Sequence, residues 1–201
     1  MIYNIEIELL SPLQLGSGLA DVVTDSDSVH DKYGMPYFPG KRLKGLLYES
    51  ALEMAEISGG TWFTEEDADR LFGHGGQESS SLRVDNFMLP DYEKLCLGWE
   101  HLQKNYPEIF SGKRIWDSYT ELRYQTSIDD ETGTTEDGSL RNMRVVDAGL
   151  KFTGRIYLYD GSELNRSILE KALANLRYAG AKRNRGFGRI KCTVKNSGQG
   201  K

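Results

Sequence analysis

The chain has 201 residues and a formal net charge of −5, with 38% hydrophobic residues that include 3 Trp, 11 Tyr and 7 Phe. That apolar content can bury a core and excludes a disordered chain, while apolar runs of only a few residues exclude a membrane-spanning helix. Met1 to Glu6 hold no basic region ahead of an apolar run, so no secretion signal is expected, and Cys96 and Cys192 fit no zinc or redox spacing and read as reduced thiols of a cytoplasmic protein.

Residues 4 to 9 alternate, Asn4, Glu6 and Glu8 against Ile5, Ile7 and Leu9, which predicts a half-buried strand. Ser11 to Gly34 is polar, contains glycines and predicts a loop. Pro39 and Gly40 open a helix whose Leu43, Leu46, Leu47, Ala51 and Met54 share one face, with Gly59 and Gly60 just beyond. Ser81 to Leu89 predict a second strand. A long insertion is expected over 90–147, helical around Tyr92 to Lys104 and turn-rich from Tyr119 to Val146. Its second part, 120–146, predicts a projecting hairpin with isolated apolar residues at Ile128, Leu140 and Met143. A strand returns at Leu150 to Tyr159, and a helix runs from Ser162, a good N-cap, to Tyr178 before Gly180. The last strand is about Gly188 to Val194, and Asn196 to Lys201 read as a frayed tail. The order strand, helix, strand, insertion, strand, helix, strand predicts an α+β fold, a ferredoxin-like (RRM-like) βαββαβ arrangement spanning 1–201 as one domain.

A negative total argues against a general nucleic-acid binder, but the distribution of charge matters more. From Arg177 to Lys191 there are six basic residues and no acidic one. Acids collect elsewhere, at Asp21, Asp25, Asp27 and Asp31, at Glu65 to Asp69, and at Asp129 to Glu131. In the segment Gly180 to Gly188 cations interleave with three glycines, which allow positive φ and close approach to a ligand. Backbone amides of such a loop suit phosphate oxygens, with Arg and Lys supplying charge, and Phe187 either stacks on a base or fills the core. A calcium loop starting at Asp25 fails, because Val29, His30 and Pro36 occupy ligand or turn positions. Gly16 to Gly18 and Gly73 to Gly76 open no helix after a strand, so no dinucleotide site is expected. His30, beside the acids, reads as a surface residue rather than a general base.

Four stretches resemble the RAMP superfamily, the repeat-associated proteins of CRISPR systems, and within it the backbone subunits of type III effector complexes. The first is the glycine-rich loop Gly180 to Gly188 with Arg189 to Lys191. The second, Gly34 to Gly45, is similar to their G-x-P-x-x-P-G-x-x-L-K-G signature. The third is Leu71, Phe72 and Gly73 followed by Leu82 to Asn86. The fourth, Thr126 to Gly133, Gly138 to Arg141 and Val145 with Val146, resembles their thumb hairpin, which wedges into the guide–target duplex. One departure is Tyr48, which stands where the family often has Arg, while Lys41 and Arg42 stand where small hydroxyl residues are common.

The resemblance implies a guide-RNA-binding subunit that assembles with other RAMP subunits and copies of itself in antiviral defence. It implies RNA contacts at Lys41, Arg42 and Lys44, and in the loop at Gly180, Lys182, Arg183, Arg185, Gly186, Gly188 and Arg189. It also implies endoribonuclease cleavage of target RNA at Asp25, with Asp27 as the alternative, and a divalent metal, magnesium, held by Asp25; Asp31 matches a second acidic position. Two other readings stand beside it. One is a non-catalytic scaffold or cap of the same complex. The other is a guide-processing ribonuclease, which the length disfavours because such enzymes usually carry two ferredoxin-like units.

Overall fold

Alternation in the first residues sets the central strand, which buries Tyr3, Ile5, Ile7 and Leu9 at 0–1% exposure. The structure, a computed structural model, describes residues 1–16, 27–73, 81–126, 134 and 139–198. In chain order the elements are β1 (Ile2–Leu9), α1 (Gly40–Ile57), α2 (Glu65–Phe72), β2 (Leu82–Val84), α3 (Tyr92–Asn105) and α4 (Gly112–Ser118). They continue with β3 (Thr120–Gln125), β4 (Arg141–Val146), β5 (Lys151–Leu158), α5 (Glu163–Asn175) and β6 (Ile190–Gly198). The architecture is α+β with antiparallel sheets: β2-β5-β1-β6 form one, β3 and β4 another.

Register places the apolar residues on one face. Tyr3 pairs with Ile156, Ile5 with Gly154 and Ile7 with Phe152. That face meets the helices, and the Tyr3 hydroxyl donates to Glu170 on α5 at 3.1 Å. Helix α1 starts where Pro39, at φ −64°, leads into Gly40, whose N–H is taken by the Asn86 side chain at 2.9 Å. A Cβ on Gly40 would come within 2.4 Å of the Val84 and Asp85 carbonyl oxygens, so the helix can approach β2 only with glycine there. Leu43, Leu47, Ala51 and Ala55 repeat every four residues and are buried, as are Ile168, Leu169, Ala172 and Leu173 of α5. Truncating Leu47 to Ala would cost about 2–5 kcal/mol, since the cavity could relax only in part.

Several expectations change. The second strand is short: after Val84 the chain turns so that Asn86 can cap α1, and Phe87 and Met88 pair singly with Phe38 and Thr153. Helix α5 stops at Asn175 because Leu176 turns extended, at ψ 108°, and Tyr178 then pairs with Arg189. The acids Glu65 to Asp67 form the first turn of α2, closed by a capping box between Thr64 and Asp67. Part of the stretch read as a polar loop is core: among its described residues Leu13, Leu15 and Tyr33 are buried. Among the described residues no helix is long and apolar enough to cross a membrane.

Candidate functional site

The glycine-rich loop stands on a narrow neck. Ala179 N–H donates to Gly188 O at 2.8 Å and Ile190 N–H to Arg177 O at 2.8 Å. Above the neck Lys182 takes φ +59°, Arg183–Arg185 form one 3-10 turn and Gly186 takes φ +82°. Residues 181 to 186 are all exposed, and so is Arg189 at the loop's end; within this surface loop Arg183 pairs with Glu49 of α1 at 3.5 Å. Phe187 is half-buried. The glycines divide by role. Gly180 and Gly188 serve packing at the base, while a Cβ on Gly186 would meet nothing within 4 Å.

An extended segment, residues 12–16, ties this loop to the start of α1. Pro12 O accepts from Gly188 N–H at 2.9 Å, Gln14 O accepts from Ala181 N–H at 3.2 Å, and Gly16 O accepts from the Arg42 guanidinium. The alternate residues bond along the other edge, Leu13 with Val146 at 2.8 and 2.9 Å and Leu15 O with Val29 N–H at 3.0 Å. Lys41 and Arg42 are exposed beside it; Lys44 is half-buried, and burial pushes its ammonium below the usual lysine range.

The β3–β4 ladder runs from Thr120 opposite Val146 to Gln125 opposite Arg141. Its outer end touches the glycine-rich loop, where Lys182 Nζ donates to Gln125 Oε1 at 2.5 Å. Burial first, then the charges of Arg185 and Arg141, lower the Lys182 pKa, so three cations gather at this junction. Tyr124 and Leu140 are 62% and 64% exposed. Met143, expected as a projecting apolar residue, is instead 2% exposed on the loop-facing side, and Ile128 lies outside the described residues.

Asp21 and Asp25 also lie outside the described residues. Asp27 Oδ1 accepts from Ser28 N–H at 2.8 Å and from Trp116 Nε1 at 3.3 Å, and it pairs with Arg144 at 3.6 Å. Asp31 organises the turn before α1. Its Oδ1 accepts from Tyr33 and Met35 N–H at 2.8 and 2.9 Å, and its Oδ2 from the Tyr92 hydroxyl at 2.7 Å. Burial first, then this bond, pushes the Tyr92 phenol well above the usual tyrosine range. His30 is exposed, with Nδ1 2.8 Å from Asp31 O and its ring 4.9 Å from that of Trp116. Among the described residues no three acidic, His or Cys side chains gather as metal ligands.

Sequence reasoning missed the segment at 12–16 and the buried Arg144. The first left a signal, the alternation of Leu13 and Leu15 around Gln14. Arg144 left none, because in Asn142 to Val146 it reads as the outward residue of an ordinary strand.

The family described as the RAMP superfamily matches residues 6–191. A curated relative, the CRISPR system Cms endoribonuclease Csm3 of Methanocaldococcus jannaschii, is 26% identical over 177 residues, which cover 84% of this chain and 67% of that protein. Among solved structures, a chain of the type III-B Cmr-beta complex bound to cognate target RNA superposes with a TM-score of 0.69 at 15% identity, covering 96% of both chains. A chain of the same complex in the apo state gives 0.70 at 15% identity, covering 97% of both.

Proposed function

Because the chain belongs to the RAMP superfamily, we propose that it is a backbone subunit of a type III CRISPR effector complex, holding guide RNA and cutting the target RNA paired with it. The observation that carries this reading is the convergence of the glycine-rich loop, the start of α1 and the β3–β4 stem around residues 12–16. The likeness to Csm3 and to the Cmr-beta chains supports it. We read the strand order β2-β5-β1-β6, with α1 after β1 and α5 after β5, as one ferredoxin-like domain with 90–147 as its insertion and β3–β4 as the stem of a thumb. Its partners are guide RNA, target RNA, other RAMP subunits and further copies of itself, in the cytoplasm.

Guide phosphates would lie on Lys182, Arg183, Arg185 and Arg189, with Lys41 and Arg42 at the helix start and Lys44 behind them. Base pairing carries sequence in such a complex, so the protein reads backbone and shape. Among the described residues of the hairpin, Tyr124 and Leu140 are exposed apolar side chains with which it would unstack a base step. A nucleotide freed from helical geometry can bring its 2′-hydroxyl oxygen in line with its own phosphorus, with the 5′-oxygen of the next nucleotide as leaving group, and that alignment supplies much of the rate. Asp25 is the residue assigned to this step. Magnesium is often held by one or two carboxylates and substrate phosphates, and beside Asp25 it would stabilise charge on the phosphate oxygens. Asp31 does not fit as its ligand, because both of its carboxylate oxygens already accept from neighbouring groups, whereas Asp27 is engaged through Oδ1 and stands as the alternative to Asp25.

That engagement of two acids in loop structure also favours a second reading, a non-catalytic scaffold. The test is the assembled complex with wild-type and Asp25→Ala subunits. The expected result is copurified guide RNA in both, normal target binding in both, and metal-dependent cleavage only with wild type. Absence of guide RNA would remove the proposal; cleavage by Asp25→Ala at the wild-type rate would remove Asp25 from it.

A further inference from the structure

Gln125 and Arg141 stand opposite each other at the outer end of the β3–β4 ladder, and the guide contacts proposed above include neither. Strand alternation puts Arg141 on the side of β4 that carries Met143 and Val145, which are 2% and 0% exposed. That side packs inward, and exposed Arg141 is the residue at which it emerges into solvent. There it meets the glycine-rich loop. Lys182 Nζ donates to Gln125 Oε1 at 2.5 Å, and Arg185 N–H donates to Lys182 O at 2.9 Å across one turn of the loop. Directly opposed residues of an antiparallel pair have their Cβ atoms about 5 Å apart, so the Arg141 side chain starts beside the amide that Lys182 holds. Two elements distant in sequence thus bring Lys182, Arg185 and Arg141 together around one amide.

Among the described residues no acid pairs with Lys182, Arg185 or Arg141. Residues 177 to 191 contain no acid. Glu121, on the same side of β3 as Gln125, pairs with Arg123 at 2.5 Å, and Glu49 pairs with Arg183 at 3.5 Å. Repulsion within the trio is felt at Lys182, whose ammonium is held below the usual lysine range by burial first and then by Arg185 and Arg141. The hydrogen-bonding groups fit a ligand that only accepts. The Gln125 side-chain oxygen is already taken by Lys182, which leaves the Gln125 amino group, the remaining Lys182 N–H bonds and two guanidinium forks as donors. Phosphate oxygens match that set, and a guanidinium takes them in pairs. The exposed cations continue along the loop through Arg183 to Arg189, so the surface suits a strand with successive phosphates rather than a single enclosed anion.

We propose that the guide strand runs from the glycine-rich loop onto the hairpin stem across this junction, with adjacent phosphates on Lys182 and Arg141, and so pins the stem against the loop. The inference rests on the guide-binding reading above. The whole chain, as wild type, Arg141→Gln, Arg141→Lys, Arg123→Gln and Lys182→Gln with Arg185→Gln, would be titrated with a labelled single-stranded RNA at several salt concentrations. Amide hydrogen exchange in β3 and β4 would be followed with and without that RNA. Arg141→Gln is expected to bind roughly three- to tenfold more weakly, as for one charged hydrogen bond lost at an exposed place. Its slope of log K against log salt should be shallower by about 0.7. Arg141→Lys keeps the charge and should recover most of the affinity. Arg123→Gln removes the same charge from the neighbouring strand, and screening should hold its effect to about twofold. At saturating RNA, exchange in β3 and β4 should slow in wild type and not in Arg141→Gln. No loss in Arg141→Gln, an equal loss in Arg123→Gln, or protection of the stem that persists in Arg141→Gln overturns the crossing. The guide-binding reading then still stands if Lys182→Gln with Arg185→Gln binds more weakly than wild type, and it fails too if that variant binds as well. Inorganic phosphate at matched ionic strength is the remaining arm. Slowing of exchange in the stem by phosphate alone, to the extent seen with RNA, would assign the junction to a free anion and overturn the strand.

Discussion

Gly180 lies so close to Gln14 that a Cβ on it would stand 2.3 Å from the Gln14 carbonyl oxygen. The same residue holds φ +73°, so both its missing side chain and its left-handed backbone are used. Gly186, six residues on, holds φ +82° in open space. Gly180→Ala should therefore destabilise the protein by at least about 2 kcal/mol, from backbone strain and the forced parting of loop and segment 12–16. Gly186→Ala has only the strain and should cost about 1 kcal/mol. Chemical denaturation of the two variants checks the order, and equal costs would mean that the contact at Gln14 does not constrain the loop.

The cations at the tip make a separable prediction. The contacts of Lys182 with Gln125 and of Arg183 with Glu49 lie at the exposed surface, where such pairs contribute little, so replacing Lys182, Arg183 and Arg185 with Gln should change the melting temperature only slightly. Every phosphate that a cation no longer neutralises takes about 0.7 off the slope of log K against log salt for a single strand, so the triple variant should have a slope shallower by roughly 2. RNA-binding titrations at several salt concentrations measure this. An unchanged slope would place the guide elsewhere.

Most of the frame was legible because it follows from periodicity. β1 alternates strictly, α1 and α5 carry stripes of period near 3.6, and Gly and Pro punctuate them. What was not legible depends on partners distant in sequence. Leu13 and Leu15 looked like parts of a polar loop because their partners, Val146 and Val29, are fixed only by the tertiary fold. The shortened β2 follows from Asn86 turning to cap a helix whose first residue is 46 positions away. In the site, charge and glycine spacing marked the loop, but no local pattern joined it to Gln125 or set Asp27 against Arg144.

Two tyrosines give a prediction at alkaline pH. The Tyr48 phenol, half-buried and donating to Asp69 at 2.6 Å, has its pKa pushed up to about 12 by burial first and then by that carboxylate. Tyr92 is raised for the same reasons, with Asp31 as its acceptor. In both cases the folded protein holds a proton that the unfolded chain releases near pH 10. Stability from these groups is fully present below that pH and falls as pH rises above it, because the unfolded state then binds fewer protons. Burial also pushes the Cys192 thiol up to about 12, so denaturation between pH 8 and 11.5 should show a decline beginning near pH 9 that steepens above pH 10, and Tyr48→Phe with Tyr92→Phe should make the part above pH 10 shallower. A decline of the same steepness in the double variant would assign it to other groups.

Asp31 provides the sharpest separation of a structural acid from a chemical one. Its carboxylate accepts three hydrogen bonds, from the Tyr33 and Met35 amides and from the Tyr92 hydroxyl, and these shape the turn that delivers the chain into α1. Removing it leaves those three donors without their acceptor, each at about 1–3 kcal/mol where water cannot reach, so Asp31→Ala should lose about 3 kcal/mol of stability or more. Tyr92→Phe removes one donor and leaves the carboxylate its other two, so its cost should be about 1 kcal/mol. Asp25→Ala removes none of these bonds and should be assembled and stable while failing to cleave. Denaturation and single-turnover cleavage on the same three variants resolve the roles. If Asp31→Ala unfolds like wild type and yet cannot cleave, Asp31 acts on RNA, and the division of labour among these acids is the reverse of the one argued from their contacts.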